Sequence, residues 1–350
     1  MQMIQSRPLK PSRRTFLRGA GTGALCLILP GCASLPGRGL GLGKSLRGIF
    51  PIAQTPFTAD DKLDVGALAE QVRFIHRGHV HGIVWPQLAS EWSALSESER
   101  MAGMEAIGSA GKQLRPAVVL GVQGSDLNVV RRYITKAEES GADAIISLPP
   151  AEVTDRGGLL EYYKQVGKST SLPLFVQAVG NMDVDLLMEM YREIPNMRYV
   201  KDEAADPLAH GAALHEKSGG AIKVFSGGHG RRLMQELPLG FSGSMPAASL
   251  ADLYAQTFEL WQTGHKTEAA AMQDRTLAAL GPMLEYGLEG MKYVLVQRGV
   301  FRTYRARPRV PTAFAGAAAT ATGSNTKPLD DEGKKRLDEV LASLKPYLRA

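Results

Sequence analysis

Eight short apolar runs, separated by stretches of helical periodicity, constrain the fold of this chain more than any other feature. Each run is rich in Val, Ile, Leu or Phe and lacks the polar alternation of a strand with one solvated face, which is typical of parallel strands buried on both faces. The runs are residues 49–53, 82–85, 117–120, 144–148, 174–179, 197–200, 221–225 and 241–245. The sequence therefore predicts eight buried strands that alternate with helices.

The stretches between the runs carry the start and stop signals of helices. Asp64 precedes a run whose apolar residues share one helical face, and Gly78 follows its end. Ser96 and Glu99 have the spacing of a capping box, in which each side chain accepts a hydrogen bond from the other residue's amide. Asp206, followed by a proline, predicts a further helix start. These signals support helices in the intervals between the strands.

Eight strand-and-helix units in succession predict an α/β fold, specifically a (β/α)8 TIM barrel with additional C-terminal helices. A doubly wound open sheet is the alternative, but no glycine-rich dinucleotide fingerprint follows the first strand, which continues as Gln-Thr-Pro-Phe. The Ala-, Gly-, Thr- and Ser-rich stretch late in the chain predicts a flexible linker. The expected boundaries are 46–264 for the barrel, 265–311 for C-terminal helices, 312–326 for the linker and 327–350 for a terminal helix.

The first 32 residues have the composition of a targeting signal. The segment Ser-Arg-Arg-Thr-Phe-Leu-Arg at 12–18 resembles the bacterial twin-arginine export signal, and the uncharged apolar run at 19–31 is too short to span a bilayer core of about 30 Å. We interpret residues 1–32 as a signal peptide and expect a periplasmic protein. The ending at Cys32 resembles a lipoprotein box, although Pro30 departs from it, so lipid anchoring at Cys32 and simple cleavage nearby stay open.

Charge and cysteine content restrict the function of the remaining chain. The formal net charge is +6, but five basic and no acidic residues precede Cys32, so the remainder carries a net charge of +1. A nearly neutral body gives no electrostatic footprint for nucleic acid, and we expect no nucleic-acid partner. Both cysteines, Cys26 and Cys32, lie in the N-terminal segment. The body therefore has no disulfide, cysteine-ligated zinc site or cysteine nucleophile.

Lys201 is the residue at a predicted strand end that most clearly suggests chemistry. Active sites of TIM barrels lie at the carboxyl ends of the strands, and Lys201 directly follows the sixth apolar run. An apolar barrel mouth disfavours a solvated ammonium and so favours the neutral amine. Such an amine can condense with a ketone to an iminium, which accepts electrons during bond breaking at the neighbouring carbon. The alternative is an ordinary solvated lysine.

Several segments of the chain, in order, are similar to one known family. They are Gly-Ile-Phe-Pro at 48–51, Thr-Pro-Phe at 55–57, Glu-Trp-Ser-Ala-Leu-Ser-Glu-Ser-Glu-Arg at 91–100, Ser-Gly-Ala-Asp-Ala at 140–144, Tyr-Val-Lys-Asp at 199–202 and Phe-Ser-Gly at 225–227. With them, residues 48–311 resemble the dihydrodipicolinate synthase / N-acetylneuraminate lyase family of class I Schiff-base aldolases. The resemblance implies that Lys201 forms the Schiff base, and that a pyruvate-type 2-keto acid is the small-molecule substrate. It further implies no metal or organic cofactor and a homodimer or homotetramer.

The turn that binds the substrate carboxylate departs from this family. The family's Gly-Thr-Thr-Gly-Glu is Gln-Leu-Ala-Ser-Glu at 87–91, which removes both threonine hydroxyls. We expect Ser90 and the backbone amides at Ala89 and Ser90 to hold the carboxylate instead. Three further polar residues at strand ends are candidates for substrate binding: Gln177, Ser226 and Ser242.

A larger departure affects proton transfer. The family places a tyrosine just after a proline at the end of the fourth strand, but here Pro149 and Pro150 are followed by Ala151 and Glu152. Glu152 could carry protons in place of the tyrosine, and the alternative is a solvated loop carboxylate. The family's Tyr-Asn-Val-Pro is Gln-Ala-Val-Gly at 177–180, so the pocket wall also differs. These changes disfavour dihydrodipicolinate synthesis itself.

Two other motifs have plainer interpretations. The Ser-Gly-Gly-His-Gly turn at 226–230 follows the seventh strand, where many barrels bind phosphate, but without a basic partner it predicts a turn that shapes the pocket. His76, His79 and His81 have the spacing of a metal cluster. They precede the second strand, on the face opposite the chemistry, so we expect no metal site there.

The sequence therefore predicts a Schiff-base-forming lyase, aldolase or dehydratase acting on a small 2-keto acid or keto-deoxy sugar acid. The alternative is a catalytically weakened periplasmic 2-keto-acid-binding protein on the same fold, motivated by the missing tyrosine and the export signal. A scaffold in which Lys201 is only structural is a third, weaker alternative.

Overall fold

The computed structural model describes residues 44–204, 206–307 and 327–350. Eight parallel strands form a sheet in the order β1-β8-β7-β6-β5-β4-β3-β2. The strands are β1 (Gly48–Ile49), β2 (Gly82–Trp85), β3 (Ala117–Gly121), β4 (Ala144–Ser147), β5 (Leu174–Ala178), β6 (Met197–Asp202), β7 (Lys223–Ser226) and β8 (Gly243–Ser244). Just after β1, Ile52 bridges in parallel to Val84 of β2, which closes the ring. The predicted (β/α)8 barrel is confirmed.

The helices occupy the intervals that the periodicity indicates. They are α1 (Val65–Arg77), α2 (Glu97–Gly111), α3 (Leu127–Ser140), α4 (Arg156–Lys168), α5 (Val184–Glu193), α6 (Pro207–Lys217), α7 (Leu233–Glu236), α8 (Ala251–Gln262), α9 (Lys266–Glu285), α10 (Gly287–Gln297) and α11 (Asp331–Leu344). The predicted caps are confirmed at Asp64, Ser96 and Asp206. Ser96 and Glu99 form the reciprocal capping box, with distances of 3.2 and 2.9 Å.

The first and last strands are shorter than their apolar runs, and the sixth is longer. Pro51 and Pro246 have no amide hydrogen for a ladder, which limits β1 and β8. Strand β6 continues through Asp202, so Lys201 is the penultimate residue of the strand and does not follow it. Its backbone is therefore fixed by Gln177 of β5 on one side and Phe225 of β7 on the other.

Aromatic side chains fill the barrel below the level of Lys201. Phe50, Phe175 and Phe225 are fully buried, and the ring of Phe175 stacks on that of Tyr199 with centroids 4.4 Å apart. Residues two apart on a strand share a face, so Lys201 lies one layer above Tyr199, and Gln177 lies one layer above Phe175. The aromatic layer therefore separates the residues at the carboxyl ends of the strands from the opposite end of the barrel.

The C-terminal helices pack on the barrel and on each other. Helix α9 packs against α8, and α11 packs against α9 and α10. Lys292 of α10 forms a completely buried ion pair with Glu91, in the turn after β2. No helix among the described residues is long and apolar enough to cross a membrane. The predicted signal peptide at 1–32 and linker at 312–326 lie outside the described residues, and the predicted domain boundaries stay predictions.

Candidate active site

Lys201 lies at the carboxyl end of the barrel with only 3 % of its surface exposed. Its side chain lines a small cavity at this end. The other lining residues come from the loops after β1, β2, β6, β7 and β8: Ile52, Leu88, Ala89, Glu203, Gly228, His229, Met245, Pro246 and Ala247. The amine thus faces a small cavity with both apolar and polar walls, and not bulk water.

A carboxylate stands next to this amine. The Oε2 atom of Glu203 lies 3.2 Å from the Nζ atom of Lys201, and the two side chains are only 9 % and 4 % exposed. Gln177 donates a hydrogen bond from Nε2 to the same carboxylate oxygen. The predicted pocket residue Gln177 is therefore brought to the site, where it holds Glu203. In the sequence, the signal that points to Glu203 is its position at a strand end, two residues beyond Lys201.

The glycine-rich turn after β7 shapes the cavity wall. A Cβ atom at Gly227 would lie 2.2 Å from Oε1 of Glu203, so the glycine leaves room for that carboxylate. Gly228 and His229 both have positive φ angles, of 62° and 59°, and both line the cavity. A left-handed backbone at a non-glycine residue is uncommon and is typical of functional turns. The geometry agrees with the expected pocket-shaping role of this turn.

The substituted turn at 87–91 contributes apolar side chains to the cavity. Leu88 and Ala89 line it, so Ala89 is brought to the site. The Ser90 hydroxyl is fully buried and donates to the carbonyl oxygen of Ala53. The Ser90 hydroxyl therefore stabilises the turn by bonding to the backbone. Direct contact between this hydroxyl and a substrate carboxylate was predicted instead. The turn is a 3-10 helix over Leu88–Ser90, in which the amide of Ser90 donates to the carbonyl oxygen of Gln87 at 2.9 Å. The predicted role of the Ser90 amide in holding a carboxylate is therefore not supported, and that of the Ala89 amide stays a prediction.

Two other predicted substrate-binding serines are placed elsewhere by the structure. Ser226 is buried and its hydroxyl donates to Glu236 at 2.6 Å, so it supports the wall and does not line the cavity. Ser242 precedes β8, at the strand's amino end, and its carbonyl oxygen accepts from the amide of Gly48. The long apolar run at 241–245 suggested a longer strand. In the actual register Met245, not Ser242, reaches the cavity.

The predicted proton carrier Glu152 is also displaced from the amine. It lies in the turn after β4 and is exposed, and it does not line the cavity. The nearest tyrosines of that unit, Tyr162 and Tyr163, are buried in α4 and bond to Ser147 of β4. The catalytic role predicted for Glu152 stays a prediction, and among the described residues the carboxylate in contact with Lys201 is that of Glu203.

Two further ionisable groups lie close behind the site. Burial raises the pKa of Glu236 to about 7, an effect that the hydrogen bond from Ser226 partly offsets. Burial also disfavours a charged His210, but its 2.8 Å contact with the Asp202 carboxylate outweighs burial and raises the pKa of this histidine. Asp202 is thus occupied by His210 on α6, on the side away from the cavity.

Two of the three histidines near the second strand, His76 and His81, have structural side-chain partners. The Nδ1 atom of His81 accepts from the amide of Ile49 at 3.2 Å, and Nδ1 of His76 accepts from the amide of Arg115 at 3.3 Å. Burial lowers the pKa of His81 to about 4, which keeps it neutral as an acceptor. Over residues 44–204, 206–307 and 327–350, no group of three or more His, Cys, Asp or Glu side chains is placed to hold a metal.

A wider groove opens at the opposite end of the barrel. Pro173 and Asn196, which immediately precede β5 and β6, line it. Barrel enzymes of this kind place their chemistry at the carboxyl ends of the strands, so the smaller cavity at Lys201 is the candidate active site. A buried lysine and carboxylate in an apolar barrel mouth define the class of (β/α)8 proteins equipped for amine-mediated carbonyl chemistry.

Comparison with known proteins places the chain within that class. Residues 45–317 match the Dihydrodipicolinate synthetase family. The match spans most of the sequence and includes the whole barrel, so the chain belongs to this family.

Individual relatives have different names within the family. The chain is 26 % identical over 301 residues to the 4-hydroxy-tetrahydrodipicolinate synthase of Chlorobium limicola, covering 83 % of this chain and 94 % of the relative. It is 25 % identical over 275 residues to the L-2-keto-3-deoxyarabonate dehydratase of Azospirillum brasilense, covering 76 % of this chain and 89 % of the relative. The crystal structure of N-acetylneuraminate lyase from Mycoplasma synoviae superposes with a TM-score of 0.72 at 20 % identity, covering 85 % and 97 %. That structural likeness supports the fold.

Proposed function

We propose that this protein is a Schiff-base-forming lyase, aldolase or dehydratase that acts on a small 2-keto acid or keto-deoxy sugar acid. Its family contains proteins named as a synthase, a dehydratase and a lyase. The neutral amine of Lys201 attacks the ketone carbon, and the resulting iminium accepts the electrons released when a bond at the adjacent carbon breaks. Lysine supplies this electron sink without a metal or an organic cofactor.

The observation that carries the proposal is the environment of Lys201. Its Nζ atom sits at the carboxyl end of β6 and its side chain borders a cavity, with 3 % of the residue exposed. The apolar side chains of Ile52, Leu88 and Met245 border the cavity and limit the access of water to the iminium. We expect the amide of Ala89, on the same wall, to bind the substrate carboxylate. A small 2-keto acid carries both the ketone that this amine would attack and the carboxylate that this amide would bind.

Borohydride trapping tests the proposal directly. The purified protein is incubated with pyruvate or with a five- or six-carbon 2-keto-3-deoxy sugar acid, reduced with borohydride, and digested for mass spectrometry. We expect a reduced adduct on Lys201 and, with one of the longer substrates, cleavage or dehydration without added metal.

The Lys201→Arg variant provides the matched control, because it retains the positive charge but cannot form the iminium. It should lose both adduct and turnover while keeping the melting temperature within a few degrees. Ligand binding to the wild-type protein without any adduct would favour the alternative, a binding protein on this fold. Adduct formation at other lysines only would contradict the proposal.

The cellular location and assembly are part of the same proposal. The twin-arginine motif at 12–18 supports export to the periplasm, and Cys32 supports either a lipid anchor or simple cleavage nearby. The family likeness supports a homodimer or homotetramer. Sedimentation of the purified protein measures this state.

A further inference from the structure

We propose that Glu203 is a catalytic residue, the group that carries the proton while the Lys201 Schiff base forms and hydrolyses. This inference rests on the proposed function and adds the proton carrier that the missing tyrosine leaves unassigned. Its basis is contact with the reacting atom, since Oε2 of Glu203 lies 3.2 Å from Nζ of Lys201. Both groups border the same cavity, so a ketone that reaches the amine also reaches the carboxylate.

The surrounding structure holds Glu203 in this position. Its amide donates to the carbonyl oxygen of Ala178 at 3.0 Å, which ties the loop after β6 to the end of β5. Gln177 donates to Oε2, and Gly227 leaves the space that Oε1 occupies. A carboxylate fixed by three separate strand ends is preorganised for proton transfer, in contrast to a mobile surface glutamate.

The pair of Lys201 and Glu203 contains every proton that iminium formation needs. The ammonium first gives a proton to the carboxylate, and the neutral amine then bonds to the ketone carbon while the C=O π electrons move to oxygen. Glu203 returns its proton to that oxygen and next takes one from the nitrogen. It finally protonates the hydroxyl, which leaves as water as the nitrogen lone pair forms the C=N bond. The site begins as ammonium and carboxylate and ends as iminium and carboxylate, so its charge is unchanged.

Other ionisable groups near the amine are less suited to this role. Asp202 faces away and is engaged by His210 and by the amide of Ala204. Glu152 is exposed and does not border the cavity. His229 also lines the cavity, so it is the alternative proton carrier that the experiment has to distinguish from Glu203.

The experiment measures how fast the pyruvate adduct forms, by borohydride quenching at successive times, in wild type, Glu203→Gln and Glu203→Asp. The glutamine has the same shape but exchanges no proton, so we expect adduct formation and turnover to slow by about 100-fold or more. The aspartate keeps a carboxylate and should recover a substantial part of the rate. Thermal melting checks that each variant is folded.

The outcomes separate the inference from the proposed function. Absence of any adduct in the wild type would contradict the proposed function itself. If the wild type forms the adduct and Glu203→Gln forms it at the same rate or faster, only the role of Glu203 would be overturned. A carboxylate that merely pairs with the ammonium stabilises the unreactive protonated amine, so its removal would not slow adduct formation. Equal slowing in Glu203→Gln and Glu203→Asp would also contradict this role, because it would show that the side-chain position and not the ionisable group sets the rate. A normal rate in Glu203→Gln, with the slowing found instead in Glu152→Gln or His229→Gln, would assign the proton to that other residue. Glu139→Gln, an exposed carboxylate on α3, is the surface control.

Discussion

At the scale of single residues, burial affects the carboxylates of this barrel in different ways. Glu203 is paired with a lysine, whereas Glu236 lies 4 % exposed with a serine hydroxyl as its close partner. The charges that face Glu236 are those of Arg232 and Asp202, with opposite effects. Burial dominates, and the pKa of Glu236 rises from its ordinary value of 4.5 to about 7.

This shift predicts a pH dependence of stability. Below about pH 4.5 Glu236 is protonated in the folded and unfolded chains alike, so the pH has no effect through it. Between about 4.5 and 7 the unfolded chain releases the proton and the folded chain keeps it, so folding becomes less favourable as pH rises. We expect ionisation of Glu236 to lower the free energy of unfolding by about 3 kcal/mol at most between pH 4.5 and 8.

Urea unfolding of the wild type and Glu236→Gln at pH 5 and pH 8 measures this effect. The glutamine cannot ionise, so the variant should lose less stability than the wild type between the two values. Identical losses in the two proteins would show that Glu236 does not carry the pH dependence.

The candidate site could be predicted from sequence only in part. Lys201 was identifiable because an apolar run followed by lysine marks a strand end in a barrel. The roles of Ser90 and Ser226 could not be predicted, because their hydrogen-bond partners, Ala53 and Glu236, come from other segments of the chain. Glu203 was overlooked for the same reason, since its importance comes from contacts with Gln177 and Gly227.

At the scale of elements, one buried ion pair joins a C-terminal helix to the active-site turn. Lys292 of α10 pairs with Glu91, and neither side chain is exposed. Glu91 also accepts from the amide of Arg307 at 2.8 Å, and its own φ angle is 56°. Helix α10 and the segment after it therefore fix the turn that carries Leu88 and Ala89 into the cavity.

Replacing Lys292 by Met should destabilise the protein by roughly 3–5 kcal/mol, because Glu91 would remain buried without its cation. The double variant Lys292→Met with Glu91→Gln should recover part of this loss, since it buries no charge. Denaturant unfolding of the single and double variants measures the coupling.

The matched control is Lys62→Met, which removes the exposed partner of Asp60 and should change stability by less than about 1 kcal/mol. Equal effects at the two lysines would contradict a structural role of the buried pair.

Helix positions were predictable because their signals are local. The capping box of Ser96 and Glu99 and the cap at Asp206 are decided by residues three apart. Strand ends were less predictable, since the length of β1 and β8 depends on which amides meet an acceptor on the neighbouring strand. This difference moved Ser242 away from the cavity and brought Met245 to it.

At the scale of the whole molecule, the proposed export pathway concerns residues outside the described structure. Because the twin-arginine route recognises the arginine pair itself, changing both Arg13 and Arg14 to lysine keeps the charge but should retain the protein in the cytoplasm. Cell fractionation and immunoblotting measure the distribution. Changing Arg7 to lysine, outside the motif, should leave export intact, and periplasmic accumulation of the double-lysine variant would refute the interpretation of this segment.

The order of strands and helices, the barrel class, the family and the position of Lys201 can all be read from the sequence. These follow from hydrophobic period, local capping and segment order, which are properties of neighbouring residues. The identity of the side chains that meet at the amine depends on the folded barrel. Closing eight strands into a ring brings Gln177, Glu203, His229 and Met245 together from separate units. Contacts between such distant segments depend on register and loop geometry, and no local pattern encodes them.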